Sequence, residues 1–373
     1  MSMTKDELYE QHLQEVVGIR DIDNYPEKDV ERVLDRLLQC LPNNGKLYKY
    51  RSIEGQSFDY AYDGLKKGYL WLARANTLND DMDCAVIYDP LVEADKMQAL
   101  SLKKPWVYLK NWVKANIDQL YWNHPNAFKA FVKVMECVDM KTGALNEVKA
   151  TKELVNIGMP KDQVGKYLST LLRLAEKKIK EHSQLLRKDS SSIFKFNELN
   201  REDIYIFSLS ETFDNKLMWA HYANSNKGFC IEYDLNKIKN LTLQAKRKLL
   251  FLYKVTYKED IEQFSFDSMN EFMMSDRDDK KLLYQADMDL FLALLTKSPD
   301  WKYEREWRFM LCNLGNKNKI FADIVSGIIL DERVLKMENG KKLITLAKER
   351  NWVIRVRKKN RLGTGHIYEE LEA

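Results

Sequence analysis

The chain has few cysteines and no long apolar stretch, features that define several common protein classes. Its 373 residues include only five cysteines, which are scattered and form no Cys-x-x-Cys pair. This usage is typical of reduced thiols and argues against a disulfide framework or a cysteine-rich zinc site. No apolar stretch reaches the ~18 residues of a transmembrane helix, and the polar N-terminus lacks the features of a secretory signal. We therefore expect a cytoplasmic protein with no membrane partner.

Several sequence motifs of familiar enzymes are also missing. The chain has no phosphate-binding loop of the Walker type and no Gly-x-Gly-x-x-Gly. It also lacks the His-Glu-x-x-His of zinc proteases and the Gly-x-Ser-x-Gly of α/β-hydrolases. Only five histidines are present. One of them, His221, lies in the segment LMWAHYANSNKGFCIEYDL.

What is present is typical of a globular protein of class α+β. Hydrophobic residues make up 45% of the chain and charged residues 31%. Strand-like and helical spacings occur in separate blocks rather than in regular βα units, which predicts a mixed or antiparallel central sheet. We predict four segments: N-terminal helices (1–42), the first part of the core (43–90), a large helical insertion (91–200) and the second part of the core (201–373).

Basic residues are concentrated in two stretches. Residues 91–190 contain 18 Lys and Arg against 11 Asp and Glu, and residues 341–361 contain nine against one. Such surpluses attract polyanions, but solvated helix faces have the same composition. The basic insertion is thus either a surface for nucleic acid or an acidic protein, or simply a soluble exterior.

The segment LYKYRS begins the core with an alternating strand. Tyr48 and Tyr50 lie on one side of such a strand, and Lys49 and Arg51 on the other. Two cations on one face can hold a phosphate or pyrophosphate. Exposed basic residues on an ordinary edge strand would give the same pattern.

The segment NTLNDDMD places several acidic groups in a polar loop. Asp80, Asp81 and Asp83, with Asn79, have the oxygen ligands that Mg²⁺ or Ca²⁺ prefers. The twelve-residue calcium loop, with its central Gly and final Glu, is absent. Asn and Asp also favour turns by bonding to their own backbone, so a turn is the alternative to a metal site.

The segment FSLSETFDNKLMWAHYANSNKGFCIEYDL combines a strand, a short helix and a second strand. Ser208 and Ser210 share one face of the first strand. The helix, which Asn215 or Asp214 can cap, contains Trp219, His221 and Tyr222. Trp219 is expected to anchor the helix in the core, which leaves His221 and Tyr222 to face a ligand.

The segment WKYEREWRFM predicts a strand with charged groups on one side. On such a strand Glu304, Glu306 and Arg308 would project together. Neighbouring carboxylates beside a cation can shift one another's pKa and support acid–base chemistry or stabilisation of a positive charge. A salt-bridged edge strand is the structural alternative.

Taken in order, these blocks resemble a large bacterial family of unknown function that is linked to abortive phage resistance. The resemblance runs from about Leu47 to the C-terminal strand, and its most specific blocks are MWAHYA, KGFCIEYD and EREWR. Two positions depart from the pattern. Asn226 and Lys49 stand where many relatives have His, which weighs against a mechanism based on histidine.

A more distant resemblance concerns chemistry. ADP-ribosyltransferases have an Arg or His on the first core strand, a Ser-x-Ser on a later strand and a Glu-x-Glu near the end, and this chain offers Arg51 (or Lys49), Ser208-Leu209-Ser210 and Glu304-Arg305-Glu306 in that order. The Thr usual in the middle of the second motif is Leu209 here. The resemblance implies an ADP-ribosyltransferase-like core that uses NAD as its substrate.

Together the two resemblances imply an intracellular phage-defence or toxin-type effector that would consume NAD and modify a protein or nucleic-acid acceptor. An antitoxin or another defence protein would be its partner. Glu306 would stabilise the cationic transition state, and the implied site as a whole comprises the catalytic residues Glu306, Glu304 and His221, and the NAD-binding residues Lys49, Arg51, Ser208, Ser210 and Tyr222. No metal is implied.

The alternative from another class is a non-catalytic sensing or interaction protein that binds a phage protein or nucleic acid through the basic insertion. A metal-dependent nuclease using Asp80, Asp81 and Asp83 is a third.

Overall fold

The computed structural model describes residues 3–19, 21–78, 80, 83–86, 88–116, 125–188, 201–259, 265–275, 280–312 and 318–371. The chain forms two compact units. The first comprises Met1–Ala85, Glu198–Ile261 and Leu294–Ala373, and the second comprises Val86–Asn197 and Glu262–Ala293.

The first unit is built on a mixed sheet. The strands in chain order are β1 (Lys46–Arg51), β2 (Tyr69–Trp71), β3 (Ala73–Arg74), β4 (Ile204–Ser210), β5 (Phe229–Asp234), β6 (Leu252–Lys254), β7 (Thr256–Tyr257), β8 (Thr296–Lys297), β9 (Glu306–Cys312), β10 (Lys319–Phe321), β11 (Val325–Asp331), β12 (Val353–Lys359) and β13 (His366–Glu370). Among the described residues the large sheet has the order β13-β12-β11-β5-β1-β4-β9-β6, and β3 also pairs with β4. The pairs β2–β10 and β7–β8 stand apart from it.

Strands β1 and β4 separate almost as soon as they meet. They pair only at Tyr48 and Ser210, whereas β1 pairs along its whole length with β5. Further along β4 the neighbour is β3, which pairs at Ile206 and Tyr205. The sheet is therefore split between β1 and β4, and this split positions the candidate site.

The helices of the first unit cover the sheet. They are α1 (Lys5–Val17), α2 (Glu27–Cys40) and α3 (Gly55–Lys67), with α9 (Lys216–Tyr222), α10 (Leu243–Leu249) and α13 (Glu338–Glu349) later in the chain. Helix α2 shows why they form: Val30, Val33, Leu34 and Leu37 recur at helical spacing and are all fully buried. Pro26 precedes its first turn, where no backbone donor is needed.

The second unit is helical in its described residues. Its helices are α4 (Pro90–Lys103), α5 (Pro105–Ala115), α6 (Pro125–Met135), α7 (Glu147–Asn156), α8 (Lys161–Lys188), α11 (Asp267–Met273) and α12 (Lys280–Leu294, which ends at the boundary of the first unit). The sequence-based segments place 262–293 with the core, whereas in the structure these residues group with the helical insertion. The Asn111 side chain, for example, donates a hydrogen bond to the carbonyl of Met273 (2.7 Å). Helical spacing reveals the helix, but not the body against which it packs.

The α+β class and the mixed sheet predicted from the sequence are confirmed. Within the described residues, no helix is long and apolar enough to cross a membrane.

A buried histidine in α1 makes the stability of the fold depend on pH. His12 is 0% exposed and lies near Arg36 and Glu15, and burial lowers its pKa to about 4. In the unfolded chain the pKa is about 6.5. Between these values only the unfolded chain takes up the proton, so the free energy of unfolding decreases as the pH falls from about 6.5 to about 4.

We expect the free energy of unfolding to decrease over that pH range in both proteins. The decrease should be smaller in His12→Leu than in the wild type, by on the order of 3 kcal/mol. Urea unfolding at pH 7.5 and pH 4.5 measures the difference, because the contributions of the carboxylates are common to both proteins. Identical losses in the two proteins would show that His12 is protonated in the fold as readily as in the unfolded chain.

Candidate functional site

A cavity of about 240 Å³ occupies the split between β1 and β4. Its wall combines the ends of both strands with α9 and the segment before β9. Its polar, charged and tryptophan lining residues include Lys49, Arg51, Trp71, Asp80, Asp83, Ser208, Ser210, Tyr222, Lys297, Trp301, Glu304 and Glu306.

Seven of the eight residues predicted from the sequence line this one cavity. They are Lys49, Arg51, Ser208, Ser210, Tyr222, Glu304 and Glu306. The eighth, His221, is exposed and is not part of the wall; its ring lies 6.1 Å from that of Tyr303. His221 points away from the cavity because neighbouring residues on a helix point about 100° apart. Tyr222 takes the cavity-facing position.

Helix α9 is held by its cap and by Trp219. The Asn215 side chain accepts hydrogen bonds from the backbone N–H groups of Leu217 and Met218. Trp219 is fully buried, donates from Nε1 to the Phe213 carbonyl (2.8 Å) and packs under the Arg357 guanidinium at 4.4 Å. With the helix anchored in this way, Tyr222 is held against the cavity.

The turn between α9 and β5 explains the Gly that follows Lys227. Asn224, Ser225 and Asn226 all have positive φ angles, and the chain then passes very close to β1. A Cβ on Gly228 would lie 2.3 Å from the carbonyl oxygen of Arg51, so only glycine fits. Three successive left-handed residues are unusual and are costly in backbone energy. The surrounding structure must therefore stabilise this turn in its position next to the end of β1.

Glu304 and Glu306 do not share a strand, which corrects the prediction made from WKYEREWRFM. Residues Pro299–Glu304 form a 3₁₀ helix, capped by the Ser298 side chain, and Arg305 has a left-handed backbone. Strand β9 begins only at Glu306. Both carboxylates nevertheless reach the same buried cluster of charges, and Ser210 holds the backbone of Glu304 there by donating to its carbonyl (2.7 Å).

Arg308 is the centre of that cluster. Its guanidinium is 0% exposed and donates to both oxygens of Glu306 and to both oxygens of Asp83, each at 2.8 Å. This bidentate geometry is the strongest that arginine offers to carboxylates. Asp83, which the sequence presents as a possible metal ligand, is thus a partner of Arg308.

Lys297 forms the second half of the cluster. Its ammonium donates to Glu304 Oε2 at 2.7 Å, lies 3.4 Å from Glu306 Oε2 and lies 3.3 Å from Asp83 Oδ2. The other oxygen of Glu304, Oε1, accepts a hydrogen bond from the Tyr222 hydroxyl at 2.6 Å. Glu304 therefore connects the charge cluster to the cavity-facing Tyr222.

The two glutamates have opposite pKa shifts. Burial would raise the pKa of Glu306, but the Arg308 guanidinium and Lys297 outweigh it, so the pKa falls and Glu306 stays ionised. For Glu304 burial prevails over the attraction of Lys297, and the charge of Glu306 raises its pKa further. Two carboxylates whose pKa values are pushed apart are the usual arrangement of an acid–base site.

The cavity has walls of opposite charge. In the cluster, three carboxylates (Asp83, Glu304 and Glu306) face two cations (Lys297 and Arg308), which leaves one negative charge in excess. On the β1 side, Lys49 and Arg51 form no ion pair with any carboxylate in the described part of the chain. Burial, together with the charge of Arg51, lowers the pKa of Lys49 well below its usual value, and its ammonium donates to the Ser208 carbonyl at 2.5 Å.

The structure describes only part of the segment that the sequence presents as a metal site. Asp80 lines the cavity and Asp83 is bound by Arg308, while Asn79 and Asp81 lie outside the described residues. Within the ranges that are described, no three His, Cys, Asp or Glu side chains are grouped so as to hold a metal ion.

Sequence reasoning missed Lys297 as a member of the site. It lies in β8, a two-residue strand that ends just before Ser298, and has no charged neighbour in sequence that would mark it. Only its contacts with Glu304, Glu306 and Asp83 reveal its role. Trp71 and Trp301, which also line the cavity, carry no local signal either.

The fold and site define an α+β protein with a mixed, split sheet and a cavity between oppositely charged walls. Residues 218–309 match the model of a family described as "Protein of unknown function (DUF2971)". This segment contains Tyr222, Lys297, Glu304, Glu306 and Arg308, whereas Asp83, the third carboxylate of the cluster, lies outside it. No curated protein matches the chain, and no solved structure does.

Proposed function

We propose that the cavity binds NAD and that the protein cleaves the bond between nicotinamide and ribose, in the manner of an ADP-ribosyltransferase. The observation that carries the proposal is the convergence of three separate motifs on one cavity. The strands β1, β4 and β9, which carry or adjoin these motifs, are neighbours in the sheet. Motifs that follow one another along the chain thus lie on or beside adjacent strands.

The distribution of charge supports a ligand of this kind. The nicotinamide ring of oxidised NAD is cationic, and its charge would balance the one carboxylate in excess on the acidic side. The diphosphate is anionic and suits Lys49 and Arg51. A ligand with a positive ring and a negative diphosphate therefore complements both walls.

Glu304 is the better placed of the two glutamates for the chemical step. Both oxygens of Glu306 are occupied by Arg308, whereas Glu304 carries the least compensated charge and is linked to the cavity by Tyr222. Departure of nicotinamide leaves an oxocarbenium-like sugar, which a fixed carboxylate stabilises. In this mechanism Glu304 stabilises the sugar cation, and Glu306 with Arg308 holds the surrounding charges in place.

We propose further that the protein acts in the cytoplasm as a phage-defence or toxin-type effector. The support for this part is the resemblance of the MWAHYA, KGFCIEYD and EREWR blocks to a family linked to abortive phage resistance. An effector of this type would transfer ADP-ribose to a protein or nucleic acid, or release it to water, and would be restrained by an antitoxin or another defence protein.

The direct test is release of nicotinamide from NAD by the purified protein, with and without a chelator. We expect release in both conditions, because no step in the proposed mechanism uses a metal. Release that the chelator abolishes would mean that cleavage needs a metal ion, which contradicts the proposed mechanism. No turnover in either condition, in a folded protein, would favour the non-catalytic sensing protein that binds through its basic insertion.

A further inference from the structure

A second cavity, of about 280 Å³, adjoins the same stretch of β1. Residues paired across neighbouring strands point to the same face of a sheet, so Ser208, Ser210 and Glu306 share one face with Tyr48, while Lys49 and Arg51 point to the other. The second cavity lies on this other face. Its wall includes Arg51, Tyr60 and Trp71, together with Ser57, Ala61 and Gly64 of α3.

Arg51 and Trp71 line both cavities. The first cavity (the acidic cavity, named for Asp83, Glu304 and Glu306) and the second cavity therefore meet at Arg51, beside the split between β1 and β4. Since Arg51 has no carboxylate partner among the described residues, a phosphate at the junction would meet an uncompensated guanidinium.

The second cavity is rich in aromatic rings. The rings of Tyr60 and Trp71 are stacked, with centroids 6.1 Å apart and planes 14° from parallel. These two side chains are 56% and 41% exposed, although both are large aromatic groups. Residues Ser57, Ala61 and Gly64 recur at helical spacing on α3 and line the same space with small side chains. Exposed, stacked aromatic rings beside a cation are suited to a flat heteroaromatic ring that is attached to a phosphate.

We propose that the second cavity binds the nucleobase at the non-reacting end of a dinucleotide, stacked against Trp71 and Tyr60, with the phosphates at Arg51. The inference rests on the proposed function for the identity of the ligand as a dinucleotide. It adds the position of the second base of that ligand and the residues that recognise it.

Calorimetric titration with two probes tests the proposal. ADP carries a base and phosphates but no nicotinamide, and nicotinamide mononucleotide carries only the reacting end. We expect ADP to bind the wild type, and to bind both Tyr60→Ala and Trp71→Ala on the order of 10-fold more weakly, since that is the usual effect of removing a stacking partner. Trp71→Phe should restore part of the affinity for ADP. Tyr60→Ala should bind nicotinamide mononucleotide as tightly as the wild type does.

Trp301→Ala is the matched control, because Trp301 lines only the acidic cavity. It should leave the affinity for ADP unchanged. The exposed position of Tyr60 makes that variant safe for folding, and thermal melting checks Trp71→Ala. No binding of ADP to the wild type at millimolar concentration, or equal binding to wild type, Tyr60→Ala and Trp71→Ala, would overturn the proposal.

These outcomes are separate from those of the proposed function. Binding of ADP that depends on Tyr60 and Trp71, in a protein that releases no nicotinamide, would refute the enzymatic activity and support the base-binding cavity. Release of nicotinamide by a protein in which Tyr60→Ala and Trp71→Ala leave ADP binding unchanged would support the enzymatic activity and refute the base-binding cavity.

Discussion

A Glu304→Gln protein is expected to release nicotinamide from NAD on the order of 10²- to 10³-fold more slowly than the wild type. The change keeps the volume of the side chain and its ability to accept from Tyr222, but it removes the charge that stabilises the sugar cation in the proposed mechanism. Because the effect is on the transition state, it should appear in kcat as well as in kcat/KM. The measurement is nicotinamide release under saturating NAD.

Glu232→Gln is the matched control for this prediction. Glu232 is also a buried carboxylate, 1% exposed, and is bound by Lys46 at 2.8 Å and by Arg355 and Ser326. It does not line the acidic cavity. We expect Glu232→Gln to lower the melting temperature without changing the rate per folded molecule. If Glu304→Gln and Glu232→Gln have the same rate as the wild type, Glu304 has no role in the reaction.

Glu306→Gln gives less information than the sequence suggests. Sequence reasoning gives Glu306 the stabilising role and treats a surface ion pair as its structural alternative, for which the change would cost little. In the structure Glu306 is buried against Arg308, so loss of its charge is destabilising whether or not Glu306 takes part in chemistry. A fall in activity of this variant therefore has to be corrected for the fraction of folded protein.

Local patterns in the sequence predicted the parts of the site that are carried by regular elements. Lys49 and Arg51 alternate with tyrosines on β1, Ser208 and Ser210 alternate on β4, and Tyr222 lies on a capped helix. These periodicities are properties of a few neighbouring residues, which is why they can be recognised without the fold. The α+β class follows from the same patterns.

The remaining parts of the site depend on contacts between distant segments. Asp83 is 225 positions from Arg308, and no periodicity connects them. The break before β9 depends on the left-handed backbone of Arg305, which the alternation of EREWR conceals. The split between β1 and β4 results from the pairing of β3 with β4. Such features are set by strand register and tertiary packing, which override local pattern.

An Arg308→Met protein is expected to be less stable than the wild type by about 3–5 kcal/mol at pH 8, the usual effect of removing one partner from a buried ion pair. The change would leave Asp83, Glu304 and Glu306 buried with Lys297 as the only cation of the cluster. The cost arises from uncompensated buried charge rather than from lost volume, because Met fills most of the space of the arginine stem.

The loss of stability in Arg308→Met should become smaller as the pH falls. In the wild type, Arg308 and Lys297 hold the pKa of Glu306 below the value of the unfolded chain, about 4.5. The stability from this group is therefore present above that pH and is lost only as the pH falls below it. Without Arg308, burial raises the pKa of Glu306 above the unfolded value. The variant can then relieve its excess charge by taking up a proton, and its deficit relative to the wild type should shrink between pH 8 and pH 5.

Urea unfolding of both proteins at pH 8 and pH 5 measures this change, and Arg32→Met supplies the control. Arg32 forms an exposed ion pair with Glu15, and removal of such a pair costs at most about 1 kcal/mol. We expect its deficit to be small at both pH values. A deficit for Arg308→Met that is large but unchanged between pH 8 and pH 5 would mean that Glu306 takes up no proton in this range without Arg308. A deficit as small as that of Arg32→Met would mean that the three carboxylates are not all charged in the folded protein. The acidic wall would then carry no negative charge in excess, and the case for a cationic ligand group in this cavity would lose its electrostatic basis.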